Sequence, residues 1–286
     1  MRAPQLLVCV ALSSILSVPV SAQQSTSTAP ATSDPQAVAL LQQSLAALTG
    51  GIPVTDVTMA GTVTVNQGTG TASGAITMVA TSTGQSQITV NLSSGRWVTT
   101  ADYSTNPRTS VTTGPGGAVH DSTPEELNGP SPAWFFPALL VSAVSPASYI
   151  ASYLGDNAQN GSTLHHIWIR STSPGGTYSF QSIGRQILTN SGPQPPVRAG
   201  QLELYVDSSS LPQMAVLGVT SYMEKNGSAD LTHPVENSEA IQYSDYRLVQ
   251  GRLAPFHMDV AIGVLPIMQI QVSSVIINSG AAVSSN

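Results

Sequence analysis

The chain has 286 residues and only 8% of them are charged: one lysine (Lys225) and eight arginines stand against fifteen acids, a formal net charge of −6. Soluble domains average about 25% charged residues. This composition excludes a basic nucleic-acid footprint, which needs clustered Lys and Arg. With 41% hydrophobic residues, it also excludes the low-hydrophobicity, high-charge pattern of disorder.

The chain opens with MRAPQLLVCVALSSILSVPVSAQQ. Arg2 gives a positive start, Leu6 to Val20 an apolar run, and Val20-Ser21-Ala22 a small-residue cleavage signal. The pattern predicts a secretory signal peptide over residues 1–22, cut after Ala22. The run is short for a membrane span of roughly 20 residues, and Gln, Ser and Thr follow it, so no stable span is expected after cleavage. The only cysteine, Cys9, lies inside that run with Val8 before it and most of the apolar stretch after it. This does not suit a lipidation signal. The mature chain then has no thiol and no disulfide, and it is long enough to build its core without one. A periplasmic or secreted location follows.

Residues 23–33 (QQSTSTAPATS) are polar and contain Pro, which predicts a disordered linker. Asp34-Pro35 reads as an N-cap followed by proline in the first helical turn. Val38, Leu41, Leu45 and Leu48 recur at helical spacing up to Gly50-Gly51, which predicts a helix over 34–49. From Val54 the period becomes two. Val57, Met59, Val63 and Val65 alternate with Thr, and Ile76/Met78, Ile88/Val90/Leu92 and Trp97 continue the pattern. Four antiparallel strands are expected. The chain holds 39 serines and 27 threonines, and Thr suits an exposed strand face.

Residues 101–131 are rich in Gly, Pro, Ser and Thr and read as a long irregular stretch. Within it, Glu125-Glu126 reads as the acidic first turn of a helix. Ser131-Pro132 then opens an apolar helix, AWFFPALLVSAV, with Pro137 as a kink. A second short helix is expected from Ser145-Pro146 to Gly155. Strands resume at 164–170, 177–180, 184–189, 201–206, 214–223, 239–249, 256–262 and 267–277. The tail over 279–286 is small and polar and reads as flexible. One α+β domain over 34–278 accounts for this order.

Three segments resemble the LolA-like superfamily of periplasmic lipoprotein carriers and its relatives, the RseB stress sensor and LppX-type lipid carriers. They are DPQAVALLQQSLAALTGG, LYVDSSSLPQMAVLG and IQYSDYRLVQGRLAPFHMDV, the last followed by IQVSSVIIN. The matching residues are Asp207, Leu211 and Pro212, then Asp245, Tyr246, Gly251, Pro255 and Phe256. By themselves these are fold markers: Asp207 bonds a turn, Pro212 restarts a strand, and Gly251 turns a hairpin. The resemblance implies a strongly curved antiparallel half-barrel whose concave face carries the N-terminal and central helices and receives acyl chains. No motif reproduces a lid-latching arginine; Arg96 is the position that element order offers.

The groove or lid candidates are Trp134, Phe135, Phe136, Leu139, Leu140 and Trp168. The first five read either as a plug lining an acyl pocket or as ordinary core. His165 and His166 are adjacent on a strand, so they point to opposite faces and cannot chelate one metal together. No zinc, calcium, P-loop or nucleophile-elbow spacing is present, so neither a cofactor nor catalysis is expected. The expected function is a non-catalytic secreted or periplasmic protein that binds a lipid, an acyl chain or another apolar ligand. The alternative is an envelope interaction protein whose groove is filled by its own side chains, with an unrecognised hydrolase as a third reading.

Overall fold

A computed structural model describes residues 32–67, 70–105, 108–121, 131–144, 146–159, 161–172, 197–225, 228–236, 239–263 and 265–283. All of them lie in one compact unit, Thr32–Asn286. The signal peptide, the linker up to residue 31, Glu125-Glu126 and the strands expected at 177–180 and 184–189 fall outside these residues.

Helix α1 spans Pro35–Thr49. Asp34 caps it by accepting the Gln36 N–H at 2.7 Å. Gly50 closes it in the left-handed region at φ 59°, its N–H donating to Ala46 O, a conformation that glycine adopts without a Cβ penalty. Ala37, Leu41, Ser44 and Leu48 form its buried face.

Strands β1 (Asp56–Gln67), β2 (Gly70–Thr81), β3 (Gln85–Leu92), β4 (Gly95–Asp102), β5 (Thr109–Thr113) and β6 (Val119–Asp121) follow. Helix α2 (Pro137–Ser142) precedes β7 (Tyr149–Gln159), β8 (Ser162–Ser171), β9 (Val197–Val206), β10 (Pro212–Lys225), β11 (Ser228–Glu236), β12 (Glu239–Val249), β13 (Arg252–Ile262) and β14 (Leu265–Ile277). Among the described residues they form one antiparallel sheet in the order β6-β5-β4-β3-β2-β1-β14-β13-β12-β10-β9-β8-β7, with β11 on β10. The sheet is an open half-barrel with β6 and β7 at its two ends, and α1 and α2 pack on its concave inner face.

Alternation builds that face. Met59, Ile76, Met78, Val90, Ile167, Leu204, Ile241, Met258 and Ile270 are buried in one core. The first and last strands meet in the middle: β1 pairs with β14 from Val57↔Ile277 to Val65↔Met268, with a register shift at Ala60/Gly61. Glycine is required at Gly61, because a Cβ there would come within 2.1 Å of Gln271 O.

Four expectations are corrected. The apolar helix over 133–144 shrinks to Pro137–Ser142. Proline disfavours helical geometry in the residue before it, and Phe136 is extended at φ −130°, ψ 95°. Pro137 therefore starts the helix instead of kinking it. The helix expected over 145–155 is the edge strand β7; its Tyr and Ile content favours a pleated surface, and β8 offers it a partner from Tyr149↔Ser171 to Gln159↔Ser162. The irregular stretch over 101–131 contains β5 and β6, joined by a turn in which Gly116 and Gly117 take positive φ. The tail over 279–286 is pinned at its start: Asp56 accepts hydrogen bonds from Ser279 N, Ser279 Oγ, Gly280 N and Ala281 N.

The fold markers act as their residue types suggest. Asp207 accepts from the Ser209 and Leu211 N–H groups and from Gln213 Nε2. Gln250 and Gly251, at φ 50° and 78°, form the two-residue turn between paired Val249 and Arg252, as a type I′ hairpin requires.

Candidate functional site: a plugged concave face and its side cleft

The segment 131–142 crosses the inner face. Ser131 Oγ accepts the Ala133 N–H at 3.0 Å, and Phe136 N–H closes a turn on Ala133 O at 3.0 Å. These two turns aim three consecutive aromatics that a helix could not place together. Phe135, Phe136 and Leu140 are 0% exposed, and Trp134 and Leu139 are 2% exposed. Trp134 meets Phe135 edge-on, with ring centroids 5.7 Å apart. Tyr243 reaches from β12 to donate to Trp134 O at 2.6 Å inside the core. Burial pushes its phenol far above the usual value, and the Glu239 charge pushes it the same way. As it stands, the segment fills the groove.

Beside the plug lies an apolar cleft of about 170 Å³ between α1, α2 and the start of β7. Val38, Leu41, Leu45, Val141, Val144 and Tyr149 give it hydrocarbon walls, and Ser33, Gln42 and Ser142 sit at its polar margin. Drug-sized sites measure roughly 300–1,000 Å³, so this space suits the end of one alkyl chain. Position 33 was expected in the linker; here Ser33 Oγ accepts the Ala151 N–H at 3.1 Å, and Asp34 N–H donates to Ala151 O at 2.8 Å. The start of the helix is thereby tied to the edge strand and forms one wall.

The structure brings Trp134, Phe135, Phe136, Leu139 and Leu140 together. It does not bring Trp168 to them. Ile167 and Ile169 face the core, so Trp168 between them faces outward, where Arg170 lies 5.4 Å from its ring centroid. Arg96 also faces outward, paired with Asn91, and the tie from sheet to plug is Tyr243. The cleft residues of β7 were missed because the stretch was read as a helix. The alternation of Tyr149, Ala151 and Tyr153 was the available signal.

Titratable groups pair off on both sides of the sheet, Asp156 and His165 on the side of Ile167 at the β7–β8 edge and the others on the outer face. Asp156 Oδ1 accepts from Tyr153 OH at 2.6 Å and from His165 Nδ1 at 2.7 Å, and these bonds hold its carboxyl below the usual value. His166 donates to Glu203 at 3.0 Å and stacks on Tyr205 with centroids 4.3 Å apart. Burial and the Glu203 charge push the Tyr205 phenol up to about 12. His257 bonds Asp259 at 3.0 Å. A hollow of about 270 Å³ lies on this face with Asp207 and Asp259 in its wall, but Asp207 is spent on its turn and Asp259 on His257 and Gln269. Among the described residues, no group of three or more His, Cys, Asp or Glu could hold a metal. No helix among them is long and apolar enough to cross a membrane.

No family model and no curated protein matches the sequence. Solved structures do match. An outer-membrane lipoprotein-sorting protein domain from Vibrio parahaemolyticus aligns over 86% of this chain and 94% of its own, at 9% identity and a TM-score of 0.52. The fold is LolA-like. A DUF1329 family protein from Desulfovibrio piger covers 86% of this chain and 95% of its own, at 9% identity and a TM-score of 0.50. A LolA-superfamily protein from Nitrosomonas europaea covers 84% and 92%, at 10% identity and a TM-score of 0.49. In the LolA-like fold of this chain, the plug and the cleft occupy the concave side of the half-barrel.

Proposed function

We propose that the mature chain is a non-catalytic secreted or periplasmic protein that holds a lipid, a lipoprotein acyl chain or another apolar molecule on its concave side. The observation that carries this reading is the apolar cleft between α1, α2 and β7, which opens beside the plug. A chain end enters there against Leu41, Leu45 and Val141. Trp134, Phe135, Phe136, Leu139 and Leu140 form the floor that it meets or displaces. The lipoprotein-sorting role named for the Vibrio domain supports the same ligand class by analogy of fold. The paired titratable groups described above supply neither an activated nucleophile nor a free acid–base couple, which favours binding over catalysis.

The test is binding of a fluorescent fatty acid to the mature chain, with native mass spectrometry of protein recovered from a bacterial envelope. The wild type should bind, and Leu45→Trp, which fills the cleft from a half-buried position, should bind about tenfold more weakly with an unchanged melting temperature. A wild type that carries nothing and binds nothing would favour a second reading. In that reading the groove is permanently filled, which the complete burial of Phe135, Phe136 and Leu140 supports, and the protein acts through its surface.

A further inference from the structure

Three segments converge at one end of the sheet: the turn after α1 (Gly50–Pro53), the β12–β13 hairpin tip, and the end of β14. Arg252 Nη2 donates to Pro53 O at 3.3 Å, Asn278 Nδ2 donates to the same oxygen at 3.0 Å, and Ile277 N–H donates to Gln250 Oε1 at 2.9 Å. A Cβ on Gly50 would come within 2.8 Å of Gly251 O. Each segment carries an exposed aliphatic side chain: Ile52 at 50%, Leu248 at 73% and Ile276 at 48% exposure. Among the described residues, the other large exposed aliphatics, Val111, Val119, Leu154 and Leu265, are on β5, β6, β7 and the opposite end of β14. Leu265 is eleven residues from Ile276, roughly 36 Å along the strand.

We infer that this rim is a docking surface for the hydrocarbon boundary of a lipid bilayer. The charges around it are spent. Arg252 is buried and bonds Gln250 O and Pro53 O, Asp56 is buried on the tail, and Asp245 and Arg247 pair with each other at 2.6 Å. Among the described residues, the charges at the rim are paired within the chain, which weakens any electrostatic hold on a charged partner. Three aliphatic side chains offer at most a few hundred Å², well below the roughly 800 Å² per partner of a stable protein interface. Among the described residues, the large exposed hydrophobics include no aromatic or Met anchor of the kind that such interfaces favour. Aliphatic tips held by a hydrogen-bonded turn suit shallow, reversible insertion between headgroups. The inference does not depend on the cleft having a ligand.

Flotation of the mature chain with phosphatidylethanolamine–phosphatidylglycerol vesicles, and with pure phosphatidylcholine vesicles, tests it. The wild type should float with both, and high salt should change the bound fraction little. The triple variant Ile52→Ser, Leu248→Ser, Ile276→Ser should float about a hundredfold more weakly with an unchanged melting temperature. Leu45→Trp should float like the wild type, since docking needs no cleft. A wild type that stays in the buffer overturns the inference, as does a triple variant that floats equally or binding that high salt abolishes. Loss of flotation in Leu45→Trp also overturns it, because vesicle association would then be lipid uptake. A wild-type dimer that the triple variant dissociates, without flotation, would assign the rim to a second copy.

Discussion

Ile167 and Trp168 are neighbours in the chain and lie on opposite faces of the same sheet. Ile167 is 0% exposed and packs in the core cluster that includes Phe135, Phe136 and Met258. Trp168 sits outside, half-buried, beside Arg170. The inner face gains its energy from removing apolar area from water. The outer face is solvated by hydroxyls and amides, such as Thr64 bonded to Ser73, and pairs its titratable groups locally, His257 with Asp259 and His166 with Glu203. This is how so weakly charged a chain has a water-facing side. It also explains why substitutions of similar size should differ several-fold in effect across one sheet.

The largest effect should come from the plug. Phe135→Ala should cost about 3–5 kcal/mol in urea unfolding, because it leaves a cavity among fully buried neighbours. If the cost is under about 1 kcal/mol, the plug is a loosely held lid and the two faces differ less than the packing indicates. Tyr243→Phe sharpens the point. It keeps the ring and removes one hydroxyl, so Trp134 O loses its donor where water cannot replace it. A loss of about 1–3 kcal/mol is expected, with tighter fatty-acid binding if the plug must move to admit a ligand.

Asp56, at the start of β1, holds the tail that follows β14 and responds to pH. Burial raises its carboxyl, but hydrogen bonds from Thr55, Ala281 and Ser279 outweigh it and hold the group below the ordinary value of 3.8. A carboxylate depressed by folding contributes stability that is complete above the unfolded value and is lost as pH falls through the folded one. The wild type should therefore lose this increment below about pH 4. Asp56→Asn should be about 1–2 kcal/mol less stable at neutral pH and should lack that part of the acid transition. Parallel acid curves for the two proteins would sink the assignment.

The sequence pattern marked α1, the strands β1–β4, β8–β10 and β12–β14, and both turn motifs, and missed β5, β6, β7 and β11; the clearest of these rest on local chemistry: Asp34-Pro35, Gly50, Asp207 and the Gly251 hairpin. It misplaced the stretch from 131 to 159 for an equally physical reason. Apolar runs carry no period when both sides are buried, so AWFFPALLV reads as a helix although Pro137 permits only its second half. Residues 149–159 took the state offered by the open edge of β8, whose other edge pairs with β9, and no local pattern contains that edge. The five plug residues were legible by their hydrophobicity. The cleft was not, because it is formed by three elements that meet only in the fold. Trp168 was counted with the plug for its ring and is separated from it by strand parity.

Trp168→Ala should give the smallest effect, about 1 kcal/mol, since the ring is half-buried and its contact with Arg170 is worth roughly 0.5–1 kcal/mol near the surface. Fatty-acid binding should not change, because the side chain lies across the sheet from the cleft. The comparison with Phe135→Ala isolates the face as the variable: both substitutions remove a large aromatic from the same half-barrel. If Trp168→Ala instead matched the plug variant in stability and also weakened binding, the outer face would have to be part of the site. The division between an apolar binding side and a self-satisfied polar side would then fail.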